Sequence, residues 1–352
     1  MLCASPMKSR EEHRGTIGEP HTLGARTCLR VVVLLWLTAV SSVGRGEEPP
    51  SSTTWIDAAH ASVYNRLWRS AMGLDRYFGS QAPASVYQEV YGSIAPAVLW
   101  DQFRGFQEKL RFDINAPLPQ LSERVHAVLG RVNRDEYVAG RAPASGAFQR
   151  QYGPQLDDQT ILGLVYRAPA RDRDSFGVDA GVRVRSPLDP YVKGDYTYVR
   201  GVPTAVLYTF RQSLFWQQSE HLGTTSRFEM DHFLSRQTLL RFTTAGTLSQ
   251  KSAGLRGYAA LTAMHSMPRR RAISGNLSID WESRAPVALH EFGVIVAYRQ
   301  SVFRDWLILE VRSGVTWPKE LPGAARMPSW GLGMGFEMLF GTTQFQARPI
   351  TF

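Results

Sequence analysis

A serine two residues from a histidine could do hydrolytic chemistry on a strand. Alternate strand residues share a face, so a Ser nucleophile and a His base spaced that way could meet. Ser219 and His221 have that spacing. They fall in a turn between two candidate strands, and no Asn or Asp is obviously placed to orient the imidazole. His232 and Ser235 are three apart, and His265 and Ser266 are adjacent. Strand geometry sends each of those pairs to opposite faces, and Asp231 with His232 has the same defect. His60, His126, His221, His232, His265 and His290 are scattered, with no pair at helical metal-binding spacing. Glu229, Asp231 and Glu310 could bind calcium only if folding gathered them. Gly331, Gly333 and Gly335 repeat with period two, which fits close packing in a strand and not a phosphate loop. The residues thus give no catalytic, metal or cofactor set. A lipid-modifying enzyme acting through Ser219 stays as an alternative.

The charged residues have a clearer pattern. Arg183, Arg211, Arg227, Glu229, Asp231, Arg241, Glu310 and Arg312 each alternate with apolar neighbours. So do Asp179, Arg185, Lys193, Asp195, Asp280, Glu282, Glu291, Arg299 and Glu337. Period two assigns these charges to one face of a sheet and the apolar residues to the other. On the lipid side of a membrane barrel, Arg or Lys at mid-depth costs about 2–4 kcal/mol each, so the charges are expected to line a lumen. Opposite signs alternate, as in Arg227, Glu229 and Asp231. Two readings follow: opposed charges on facing strands close the lumen, or the charges border a narrow pore.

These charges need long antiparallel strands to position them. Trp330, Leu332, Met334, Phe336, Met338 and Phe340 form one face of a terminal segment. Phe176, Val178, Ala180, Val182 and Val184 do the same around a turn at Pro187 and Pro190. Segments of this kind recur from Phe103 onward with short connections, as an up-and-down meander requires. Strands of about 10 to 13 residues suit a tilted bilayer crossing, whereas soluble strands are about half as long. Trp216, Trp281, Trp306, Trp317 and Trp330 lie near candidate strand ends and are expected to form an interfacial girdle. The fold class is therefore all-β: an up-and-down antiparallel transmembrane barrel of about 12 strands, within a range of about 10–14. The same alternation could instead build a soluble secreted β-protein with two stacked sheets.

Upstream, Val31 to Val40 is a short apolar run after Arg26 and Arg30 and before small residues. That is the layout of a secretory signal, too short to span as a helix. Expected segments are a signal at 1–44, a linker with a helical segment at 45–95, and a barrel at 96–352. Cys3 and Cys28 lie in the part to be removed, so no thiol remains for disulfides or for zinc or iron–sulfur sites. Ile56, Ala59, Val63, Leu67, Ala71, Leu74 and Phe78 recur at helical spacing, with Gly79 as a stop. That face either packs on the barrel or meets a periplasmic protein through residues 55–78. The net charge of +9 is dispersed except at Arg269, Arg270 and Arg271, which argues against nucleic-acid binding.

The signal-like run, the amphipathic strands and the aromatic strand ends resemble Gram-negative outer-membrane β-barrel proteins as a broad class. The resemblance implies an outer-membrane location, contact with outer-membrane lipid, and handling by periplasmic chaperones and the barrel-assembly machinery. Phe340 and Phe352 are the terminal aromatics it would use as an assembly signal. The resemblance specifies location and not activity; the charged inner face leaves a non-enzymatic closed scaffold or a narrow porin-like channel, with no cofactor.

Overall fold

A computed structural model describes residues 55–75, 90–132 except 104, 138, 159–169, and 173–341 except 203. The expected signal at 1–44, the tail after 341 with Phe352, and Phe78 and Gly79 lie outside the described residues.

Fourteen antiparallel strands close into one barrel, each paired with its neighbours in the chain and β1 with β14. They are β1 Tyr91–Asp101, β2 Gly105–Pro117, β3 Val125–Val132, β4 Gln159–Arg167, β5 Asp174–Val184, β6 Asp189–Gly201 and β7 Val206–Gln217. β8 His221–Phe233, β9 Thr238–Ser249, β10 Arg256–Met267, β11 Arg271–Glu282, β12 Leu289–Val302, β13 Arg304–Thr316 and β14 Ser329–Phe340 complete the wall. Fourteen strands replace the expected 12, and the barrel opens at Tyr91, ahead of the expected boundary at 96. β1 hides from alternation because both of its faces are small or apolar: Ala95, Ala97 and Leu99 point inward, Ile94 and Val98 outward. It also carries Pro96, which has no N–H to give to a ladder. The β14 register accordingly skips from Ile94 to Ala97 while keeping its phase.

Closure satisfies strand edges and divides the side chains cleanly. Leu214, Leu277, Val294, Val296 and Met334 stand exposed on the outer wall. Their chain neighbours, such as Ser213, Ser278 and Asn276, face inward and are buried. An exposed apolar belt of this extent is a surface for hydrocarbon. The connections follow the same polarity. At the end holding the chain's first and last strand boundaries, β12 and β13 are joined through Phe303 alone. At the other end, β3 and β4 are joined by residues 133–158.

The helix α1, Trp55–Asp75, lies at the first of these ends. Its half-buried positions are Ile56, Asp57, His60, Val63, Tyr64 and Leu67; Ala59, expected on that face, is exposed. Asp57 pairs with Arg304 of β13 (2.7 Å), and His60 stacks on Trp306 with centroids 4.1 Å apart. His60 Nε2 donates to the Leu339 carbonyl of β14 (2.9 Å). Leu67 packs on a cluster formed by Val90, Ala116, Leu118 and Ala127. The helix therefore bridges the seam where the first and last strands meet.

If hydrocarbon covers the belt, Leu277→Arg on the outer wall lowers unfolding free energy in lipid vesicles by about 2–4 kcal/mol. The same change at loop residue Leu321 shifts it by no more than about 0.5 kcal/mol. Denaturant titration followed by tryptophan fluorescence measures both.

Candidate lumenal site

Strand phase sets the inward side chains. On β13, Glu310 pairs across with Arg299 of β12 and Gly335 of β14, so all three point into the barrel. Arg183, Arg211, Arg227, Glu229, Asp231, Arg241, Glu310 and Arg312 all have inward phase.

They fall into three groups along the wall. On β5 and β6, Arg183 is 0% exposed and pairs with Asp189, itself 1% exposed. Asp189 also accepts hydrogen bonds from Gln217 Nε2 (2.6 Å), Ser219 Oγ (2.8 Å) and Ser219 N (3.0 Å). Lys193 bridges Asp179 (3.1 Å) and Asp195 (3.0 Å), and Arg211 Nε donates to Thr197 Oγ1 (3.2 Å). On β8 and β9, Arg241 grips Asp231 through two hydrogen bonds of 2.6 and 2.8 Å, and Arg227 pairs with Glu229. On β12 to β14, Arg299 pairs with Glu310 (3.3 Å) and Glu337, and Arg312 pairs with Glu310. Each of these pairs joins residues of one strand or of strands no more than two apart. These pairs run along the wall between near strands, whereas a charge-closed lumen would need pairs across the axis.

Other features narrow the interior. Inward-facing Ile161, Tyr191 and Phe215 form an apolar cluster with Val138, a residue of the long connection between β3 and β4. Val138 thus packs against the inner wall. A second region stays open. A cavity of about 290 Å³ lies between β1–β2 and β12–β14, bordered by Ala95, Ala97, Lys109, Arg111, Arg299 and Arg312. Its floor is low because β14 carries glycine there: a Cβ on Gly335 would sit 2.8 Å from the Ala97 Cβ. Lys109 and Arg111 were legible as inward-facing from their alternation with Leu110 and Phe112. Their place beside a cavity was not, because it depends on β1 lying next to β14.

The hydrolase arrangement does not assemble. Ser219 is held by Asp189 and Gln217 and donates its hydroxyl proton to Asp189 and not to His221. Glu229 and Asp231 sit on β8 while Glu310 sits on β13, so the proposed calcium carboxylates are on separate parts of the wall.

Four of the expected girdle residues share one end and face outward: Trp216, Trp281 and Trp330 at strand ends, and Trp317 stacked on Phe292 (5.2 Å). Trp100 of β1 joins them. Trp306 does not. It shares the inward phase of Glu310 and Arg312 at the opposite end, where it receives His60. Its spacing from Glu310 carried that signal.

No family model matches the sequence, and no curated protein matches it. Several solved outer-membrane channels have similar structures. OprB of Pseudomonas putida is 8% identical, with 72% of this chain and 94% of that chain covered and a TM-score of 0.47. The channel DcaP of Acinetobacter baumannii is 8% identical over 71% and 96%, with a TM-score of 0.45. An anion-selective porin from Comamonas acidovorans is 9% identical over 71% and 98%, with a TM-score of 0.42.

The buried Arg183 and Asp189 pair gives a direct test. Arg183→Met removes the buried cation of Asp189 and leaves it only Arg185 (3.3 Å), so it should destabilise by somewhat less than the roughly 3–5 kcal/mol of a fully broken buried pair. The double variant Arg183→Met with Asp189→Asn should recover much of that loss in the same denaturant titration.

Proposed function

We propose that the protein is a non-enzymatic outer-membrane channel of a Gram-negative bacterium, passing small hydrophilic solutes through a narrow charge-lined lumen. The observation that carries this reading is the direction of the ion pairs. Charges meant to fill a barrel would meet across its axis, whereas in these pairs they neutralise one another sideways along the wall. Lateral pairing lowers the cost of keeping charged groups in a low-dielectric wall while their edges still offer hydrogen bonds to a passing solute. The Val138 cluster makes the path narrow. A wall with both signs favours no single ion over its whole length.

The outer membrane is supported by the closed barrel, the outward apolar belt and the signal-like run at Val31 to Val40. Short turns on the α1 side and the long connection on the other support a periplasmic position for α1, following the usual asymmetry of such barrels.

The test is planar-bilayer recording on heat-modifiable, detergent-folded protein. Discrete ohmic steps are expected. A membrane that stays resistive after verified insertion would make the barrel a closed scaffold, and recovery of the protein only in the soluble fraction would remove the membrane reading altogether.

A further inference from the structure

Among the described residues, Lys109 stands outside the ion-paired wall. We propose that the cavity beside β1 and β2 is a binding site for the oxyanion of a small solute, with Lys109 as its principal contact. This deepens the channel reading and rests on it for its role in transport.

The argument begins with what surrounds the cavity. On β14 and β13 the carboxylates are already engaged: Glu310 by Arg299 and Arg312, and Glu337 by Arg299. Those four side chains cancel. On β2, Lys109, Arg111 and Asp113 follow one another on the inward face. Among the described residues Lys109 makes no ion pair, unlike Lys193, which two carboxylates hold. Lys109 therefore presents to the cavity an ammonium group with no carboxylate partner among the described residues.

The backbone supplies the space. Lys109 lies opposite Ala97, and Arg111 opposite Ala95. Short side chains on β1 and glycine on β14 leave both cations facing a void where larger residues would fill it. Lys109 and Arg111 are two residues apart on one strand face, about 7 Å by the strand rise. That separation lets one oxyanion accept from both through different oxygens. The guanidinium offers planar paired donors and the ammonium a compact charge, a combination suited to carboxylate or phosphate. The nearest stretch of β2, Gly105 to Arg111, has no ladder partner on β3 among the described residues.

The probe is inorganic phosphate. Titration of detergent-folded protein by calorimetry needs no conduction, so it is separate from the channel test. Wild type should bind phosphate saturably. Lys109→Gln should weaken binding about tenfold, as expected for one lost charge-assisted contact. Lys109→Arg should retain most of it, and Lys251→Gln in an exposed turn should change nothing. In bilayers under a salt gradient, Lys109→Glu should move the reversal potential toward cations. Phosphate binding that survives Lys109→Gln, or none in the wild type, overturns the site even if the barrel conducts. Lys109-dependent binding by a non-conducting barrel keeps the site and overturns the channel.

Discussion

Hydrocarbon cannot accept or donate hydrogen bonds, and this requirement governs the whole molecule. Each backbone group in the belt needs a partner strand, so the meander must return to its own first strand. The joint between β1 and β14 is where that demand is hardest to meet. β1 carries a proline, and its register with β14 has a gap at Pro96. The neighbourhood compensates in two ways. Glycines of β14 let β1 approach closely. The helix α1 ties β13 and β14 to the turn after β2 through Asp57, His60 and Leu67. The terminal helix thus has a mechanical reason to sit beside the seam.

The same closure creates the interior. Once alternate residues must face lipid, the remaining half of each strand faces a confined space, and charge placed there loses much of its hydration. Unpaired, each group would be costly; paired with a facing strand, it would block the axis. The chain takes a third course, with ion pairs running between neighbouring strands. Arg299, Glu310, Arg312 and Glu337 show it on one side, and Asp179, Lys193 and Asp195 on the other. A fourteen-strand circumference gives such wall-bound pairs more room than a smaller barrel would. Lys109, beside the cavity, has no ion-pair partner among the described residues.

Much of the fold was legible along the chain. The inward phase of Arg183, Arg227, Arg241 and Arg312 follows from alternation because a strand has only two faces. The strand at Tyr91–Asp101 was not legible, because small residues inside and a proline outside erase the contrast that alternation needs. Trp306 looked like a girdle residue because tryptophan at a strand end is usually interfacial; phase against Glu310 and Arg312 sends it inward.

By itself, the sequence determined the alternation, and with it one apolar and one charged face, since period two is a local property of extended backbone. It did not determine which charges neighbour which. Glu337 is far along the chain from Arg299, and Lys109 far from Gly335; the registers of β12 to β14 decided which carboxylates are spent, and closure of β1 on β14 decided which ammonium borders the cavity. Partnership of that kind depends on register and strand number, which are global quantities that a local pattern does not contain.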